Sequence, residues 1–125
     1  MKICLIKELI NNFSEENIME YINVLPHVKN MFDSSYELKF IISNFKEYIN
    51  LLPCNILIFI VKKENKVIGS ATLNIENVIN TKSNLKIGHI EDIFFKDFES
   101  DYKNLLINFL IKKSKFLNCY KIVIH

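Results

Sequence analysis

The chain has 125 residues, half of them apolar, enough for one domain with a modest core, so a second domain is not expected and 1–125 is read as a single unit. Its formal charge is +2, from 16 basic residues against 14 acidic ones, interspersed so that no basic stripe argues for nucleic acid and no polybasic cluster for a membrane surface. No stretch reaches the roughly 18 to 20 apolar residues of a membrane span, and Met1 to Ile10 lacks a signal-peptide core, so a cytoplasmic protein is expected.

In chain order, Lys2 to Leu9 reads as a first strand with Ile3, Leu5 and Leu9 apolar, or as a strand that gives way to a helix at Glu8. Ser14 ahead of Glu15-Glu16-Asn17 has the form of a helix N-cap, leading into Ile18, Tyr21, Ile22 and Leu25, and Pro26 ends that helix. A second helix is expected from near Asp33-Ser34-Ser35, with Leu38, Ile41, Ile42, Phe45 and Ile49 on one side, stopping before Pro53. His27, Lys29, Tyr36 and Tyr48 read as surface or packing residues. Ile56 to Val61 and Val67 to Ile75 form a hairpin around the polar turn Lys62 to Lys66, and Gly69 inside a strand marks a bulge or a close backbone approach. Glu76 to Lys86 is polar and reads as an exposed loop joining two antiparallel strands. Cys4, Cys54 and Cys119 are odd in number and lack metal spacing, so reduced, mostly packed thiols and no metal centre are expected.

Ile87-Gly88-His89-Ile90-Glu91-Asp92-Ile93-Phe94-Phe95 has strand composition broken by two adjacent carboxylates. An ionised carboxylate in a buried strand costs several kcal/mol unless it is paired or solvated. Strand alternation turns Glu91 and Asp92 to opposite faces, so at least one of them should line a wet cleft, unless the strand is an edge with Glu91 or Asp92 simply hydrated at its end. An acidic segment, Lys96 to Asp101, follows. Tyr102 to Leu117 then carries Leu105, Leu106, Phe109, Leu110 and Phe116 at helical spacing, and Cys119 to Ile124 is a further strand. Strand, helix and strand make a right-handed crossover between parallel strands, whose sites lie at the carboxyl end of the first strand.

The run Gly88-His89-Ile90-Glu91-Asp92-Ile93, with Lys66 to Leu73 before it and Leu105-Leu106 and Cys119-Tyr120-Lys121-Ile122 after it, resembles the glucosamine 6-phosphate N-acetyltransferases of the GNAT superfamily. The likeness spans about Ile56 to Ile124. It implies an α/β fold of GNAT type: a mixed sheet of about five strands, two N-terminal helices and one crossover helix. It also implies transfer of acetyl from acetyl-CoA to the amine of an amino-sugar phosphate, in the route to UDP-N-acetylglucosamine. The family's catalytic acidic pair falls on Glu91 and Asp92, which contact the sugar and its amine, and the rest of the sugar subsite falls on Asn77, Asn80 and Lys82. The cofactor falls along Ile93, Phe94 and Phe95, with a backbone amide near Ile93 polarising the thioester carbonyl, and then at Ser100, Lys103 and Asn104. In that fold the strand holding Ile90 to Phe95 splays from the one at Cys119 to Ile124 and admits the pantetheine arm.

The departures are as definite as the match. The family's pyrophosphate loop carries an arginine or glutamine and two small residues, whereas Phe98 to Asn104 has neither glycine nor arginine, and Asp97, Glu99 and Asp101 stand where phosphates should arrive. In a first helical turn such acids stabilise the helix by roughly 0.3 to 1 kcal/mol each. Against a phosphate about 4 Å away each costs about 1 kcal/mol in water and about 4 at an effective dielectric near 20. The basic-Phe-Ile-His segment that holds the sugar phosphate is replaced by Asn77-Val78-Ile79-Asn80, leaving Lys82 or Lys86 as point charges. The sequence stops at His125, short of the family's following helix and its leaving-group tyrosine; Tyr102 and Tyr120 are available phenols, and His125 reads as frayed. Ile122-Val123-Ile124 would end the sheet as an apolar edge, and with the family's strand-exchanged dimers this predicts a homodimer. A catalytically silent GNAT-like binding or dimerisation protein, or a fragment of a longer enzyme, is the alternative.

Overall fold

A computed structural model describes residues 1–12, 14–31, 37–80, 83–97 and 100–125, the side chains of 79, 80, 83, 84 and 100 excepted. A strand β1 (Lys2–Leu5) passes directly into one helical turn, α1 (Ile6–Leu9), so the helix begins earlier than Glu8. Helix α2 (Glu15–Asn23) is capped by Ser14, whose Oγ accepts from the Asn17 N–H at 3.5 Å, with Glu15 and Glu16 at its positive end. It stops at Asn23. Pro26, expected as a terminator, instead opens α3 (Pro26–Lys29), where a missing N–H leaves nothing unpaired. Helix α4 (Leu38–Asn50) buries Ile42, Phe45 and Ile49; its expected start at Asp33-Ser34-Ser35 lies outside the described residues.

Strands β2 (Ile56–Lys63) and β3 (Lys66–Asn80) are joined by Glu64 and Asn65, with φ of 51° and 67°. Two left-handed residues are what a two-residue type I′ hairpin needs. Strand β4 (Ser83–Phe95) pairs back along β3 through Glu76↔Ile87, Asn77↔Lys86 and Val78↔Leu85. The polar stretch read as an exposed loop is therefore mostly strand. Its backbone groups satisfy one another, and an antiparallel ribbon can do that with polar side chains in water. Helix α5 (Ser100–Phe116) starts two residues earlier than expected, and β5 (Cys119–Ile124) returns parallel to β4.

The sheet order is β1-β2-β3-β4-β5, antiparallel except for the last pair, and β5 is an edge. Alternation along β2 sends Ile58 and Ile60 into a core under α1 to α4, and Phe59 and Val61 into a second core under α5 with Leu73, Ile90, Leu106 and Leu110. Burial on both faces is why β2 reads as an unbroken apolar run, and each such side chain contributes roughly 1.5 to 3 kcal/mol. Ser70, buried between β3 and the helices, donates to the Val24 carbonyl at 2.6 Å. Gly69 meets the expectation of close approach: a Cβ there would lie 2.6 Å from the Phe94 carbonyl oxygen and 2.6 Å from the Phe95 ring. The three cysteines are free; Cys4 and Cys119 are half-buried and Cys54 is exposed. Among the described residues no helix is long and apolar enough to cross a membrane.

Candidate functional site

The acidic doublet lies on a bulge. Thr72 pairs with Glu91 and Ser70 with Phe94, so Ala71 opposes two residues of β4, and Asp92 takes a φ of 52°. Ile90 and Ile93, three apart, consequently both pack under α5, while Phe94 packs against the helices of the other face. Strict alternation of the doublet is thus corrected: Glu91 faces the α1–α4 side, half-buried, and Asp92 is the exposed extra residue. The structure does not bring the two carboxylates together.

Glu91 lines a cleft of about 450 Å³ with Asn55, Asn74, Asn77, His89 and His125. Residues 74 and 76 on β3 and 89 and 91 on β4 are spaced by two, so each pair turns to one face, and Asn74 is the direct partner of His89. Asn55 donates to the Asn74 side chain at 3.4 Å and to the Ile75 carbonyl at 3.3 Å. His89 Nε2 lies 2.9 Å from Glu76 Oε2. A carboxylate only accepts, so Nε2 carries the proton, and the neutral ring then presents Nδ1 as a bare nitrogen. That nitrogen lies 2.9 Å from His125 Nε2, which in this tautomer donates to it. The two rings stack with centroids 5.2 Å apart, and Glu91 Oε1 is 4.0 Å from the same His125 nitrogen. His125, expected to fray, is held as well by its own N–H, which donates to the Ile90 carbonyl at 2.9 Å.

Among the described residues, no strand pairs with the outer edge of β4 beyond that bond. The parallel register ends at Ile90↔Ile124, and β5 pairs with β4 along its length. The implied splay is therefore not between these two strands; the open backbone is the stretch of β4 from Glu91 to Phe95. Lys96 N–H donates to Ile68 on β3 at 2.9 Å, and alternation turns the amides of Ile93 and Phe95 to the other, open edge. The side chains of Ile93, Phe94 and Phe95 are engaged in packing, which leaves their backbone for a ligand.

At the far end of this edge a second cleft, of about 230 Å³, is lined by Lys63, Lys66, Phe95, Asp97 and Tyr102. Lys63 Nζ stands 4.9 Å from the centre of the Tyr102 ring. Lys103 and Asn104 are exposed on the first turns of α5 and do not line this cleft. Ser100 begins the helix and Asn80 ends β3, with side chains that are not described; Lys82 and Glu99 lie outside the described residues. Asn77, from the expected sugar subsite, lines the Glu91 cleft. Sequence reasoning missed Glu76, His89, His125, Lys63 and Lys66. Spacing by two along paired strands was the signal for the first two, and the turn that aims both lysines at the end of β4 was the signal for the last two. Burial pushes the Cys119 thiol above its ordinary 9.0, with Lys86 pulling the other way.

No family model and no curated protein matches the sequence. Solved structures do match its fold. Glucosamine-6-phosphate N-acetyltransferase from Arabidopsis thaliana superposes with a TM-score of 0.63 at 18% identity over 100% of this chain and 82% of its own. A GNAT family acetyltransferase from Staphylococcus aureus gives 0.67 at 18% identity over 99% and 84%. An aminoglycoside antibiotic 6'-N-acetyltransferase from Acinetobacter haemolyticus gives 0.62 at 17% identity over 100% and 79%. With a five-stranded mixed sheet, an outer open edge on β4 and a crossover helix behind it, the chain has the fold of the GNAT acetyltransferases.

Proposed function

We propose that the chain is an N-acetyltransferase that moves acetyl from acetyl-CoA to the amine of an amino-sugar phosphate, with glucosamine 6-phosphate as the acceptor, in the route to UDP-N-acetylglucosamine. The observation that carries the reading is the adjacency of the Glu91 cleft to the unpaired edge of β4. The sugar specificity is supported by the run Gly88 to Ile93 and by one of the similar structures. The pantetheine arm pairs with the open backbone from Glu91 to Phe95, about 13 Å at roughly 3.3 Å per residue. An Ile93 amide polarises the thioester carbonyl. Lys63 and Lys66 meet the phosphates as point charges in place of a glycine-rich loop.

Glu91 receives the substrate as an ammonium ion, since an anion favours the charged amine. Once the amine displaces His125 Nε2 from it, His89 Nδ1 takes the proton that the nitrogen must lose, and Glu76 on Nε2 stabilises the imidazolium that forms. The amine lone pair then bonds to the carbonyl carbon, the carbon–sulfur bond breaks, and the thiolate leaves with its electron pair and takes up the second proton of the nitrogen, giving the neutral amide and the CoA thiol. Asp92 acts through the bulge that aims Glu91. The exposed edge of β5, with Tyr120 and Ile124 uncovered, supports a homodimer formed along it.

A non-catalytic GNAT-like binding protein is favoured by one observation: Asp97 lines the lysine cleft where phosphates would lie. Calorimetric titration with acetyl-CoA decides between the two. Micromolar binding is expected of the enzyme, and no binding at millimolar cofactor would leave the silent reading.

A further inference from the structure

Three side chains at the Glu91 cleft offer ligand atoms within 4.8 Å of one another: His89, Glu91 and His125. We infer that this cluster is a binding site for a borderline divalent transition ion, zinc being the best fit, with His89 Nδ1, His125 Nε2 and Glu91 Oε1 as ligands.

Four observations carry this. The first is the tautomer of His89. Glu76 at 2.9 Å holds the proton on Nε2, so the lone pair of Nδ1 is directed into the cluster. A carboxylate behind a ligating imidazole is the outer-shell arrangement that fixes ring orientation and raises ligand basicity at metal sites. The second is separation. His89 Nδ1 and His125 Nε2 are 2.9 Å apart, and an ion about 2.05 Å from both subtends an angle of about 90°. Widening the pair by about 0.4 Å gives the tetrahedral angle. The hydrogen bond that now joins the rings is released when His125 moves its proton to Nδ1, a tautomer change that leaves both rings neutral, and the Glu91 carboxylate offsets one of the ion's two charges.

The third is reach. Glu91 Oε1 is 4.0 Å from His125 Nε2, and ligand atoms about 2.05 Å from a tetrahedral ion stand about 3.3 Å apart, so an approach of roughly 0.7 Å brings the pair to ligand spacing. Its side chain is 33% exposed and has room to rotate. The fourth is the donor set. Two imidazoles and one carboxylate, with the cleft as the open fourth position, suit zinc, cobalt or nickel; an all-oxygen set would suit calcium or magnesium. The ion would take the same Nδ1 and carboxylate that acyl transfer uses, so a loaded site blocks the base; its binding is read without acetyl-CoA or an acceptor amine, which keeps its failure distinguishable from failure of the acyl-transfer reading.

The test is titration of the chelator-treated chain with cobalt(II), read by visible d–d absorption, followed by displacement with zinc. The expected result is one saturable equivalent of cobalt per chain, displaced by one equivalent of zinc. His89→Gln and His125→Gln should each weaken binding at least tenfold, while His27→Gln, on the exposed side of α3, leaves it unchanged. Circular dichroism shows that each variant is folded. A folded chain with no saturable absorption, or affinity that survives His89→Gln and His125→Gln alike, would overturn the assignment.

Discussion

At one end of the open edge of β4, two carboxylates and two imidazoles converge, with His89 held at 2.9 Å on both ring nitrogens. At the other end Lys63 and Lys66 reach in from a two-residue turn beside Asp97 and Tyr102. The first end is preorganised: a ring fixed by two partners presents one nitrogen in one direction. The second relies on point charges carried by long, rotamer-rich stems, which attract an anion without orienting it. The two ends should therefore fail differently when altered, the first in the chemical step and the second in cofactor affinity.

The largest expected effect is at the rigid end. His89→Gln removes the proposed base and should lower kcat by about 10²- to 10⁴-fold, with acetyl-CoA affinity held. Steady-state kinetics alongside calorimetry would show it, and an equal loss of cofactor binding would erase the contrast between the two ends. Next, Lys63→Ala with Lys66→Ala should raise the acetyl-CoA Kd by about 10- to 100-fold, a charge-assisted contact contributing roughly 1.5 to 3 kcal/mol. Asp97→Asn should move it the opposite way. Cofactor binding that ignores all three substitutions would place the phosphates elsewhere.

Gly69→Ala probes what links the two ends. The added methyl meets the Phe94 carbonyl and the Phe95 ring, so the edge itself must shift, at a cost of about 1 to 3 kcal/mol read from the denaturant midpoint. A midpoint unchanged from the parent would mean that this edge yields easily.

Much of the scaffold was readable because its signals are redundant. The doubly buried run of β2, the capped start at Ser14 and the strand, helix and strand from Ile87 to Ile124 each combine composition with period. The failures share a cause, in that backbone pairing or local backbone geometry overrode a side-chain signal. Glu76 to Asn80 is strand although polar, because the ladder to β4 satisfies its amides without burial. Pro26 forbids a helix interior but favours a helix start, and α3 uses the second property. Asp92 at positive φ inserts one residue into β4 and resets every face after it, a change that alternation cannot foresee. The Glu91 half of the site was legible as a misplaced carboxylate; its partners on β3 and at His125 required the register.

The smallest effect concerns Cys119. With its pKa raised by burial, the folded state favours the protonated thiol, so its stabilising contribution is complete below the ordinary 9.0 and is lost as pH climbs above it. Alkylation at neutral pH should modify exposed Cys54 well before Cys119; the reverse order would contradict this.

The most direct test of the account is release of the CoA thiol from acetyl-CoA on addition of glucosamine 6-phosphate, measured for the parent chain and for Glu91→Gln. The account predicts release that requires the amine and collapses in Glu91→Gln while acetyl-CoA still binds. Cofactor binding without amine-dependent release in the parent, or full release in Glu91→Gln, would contradict it.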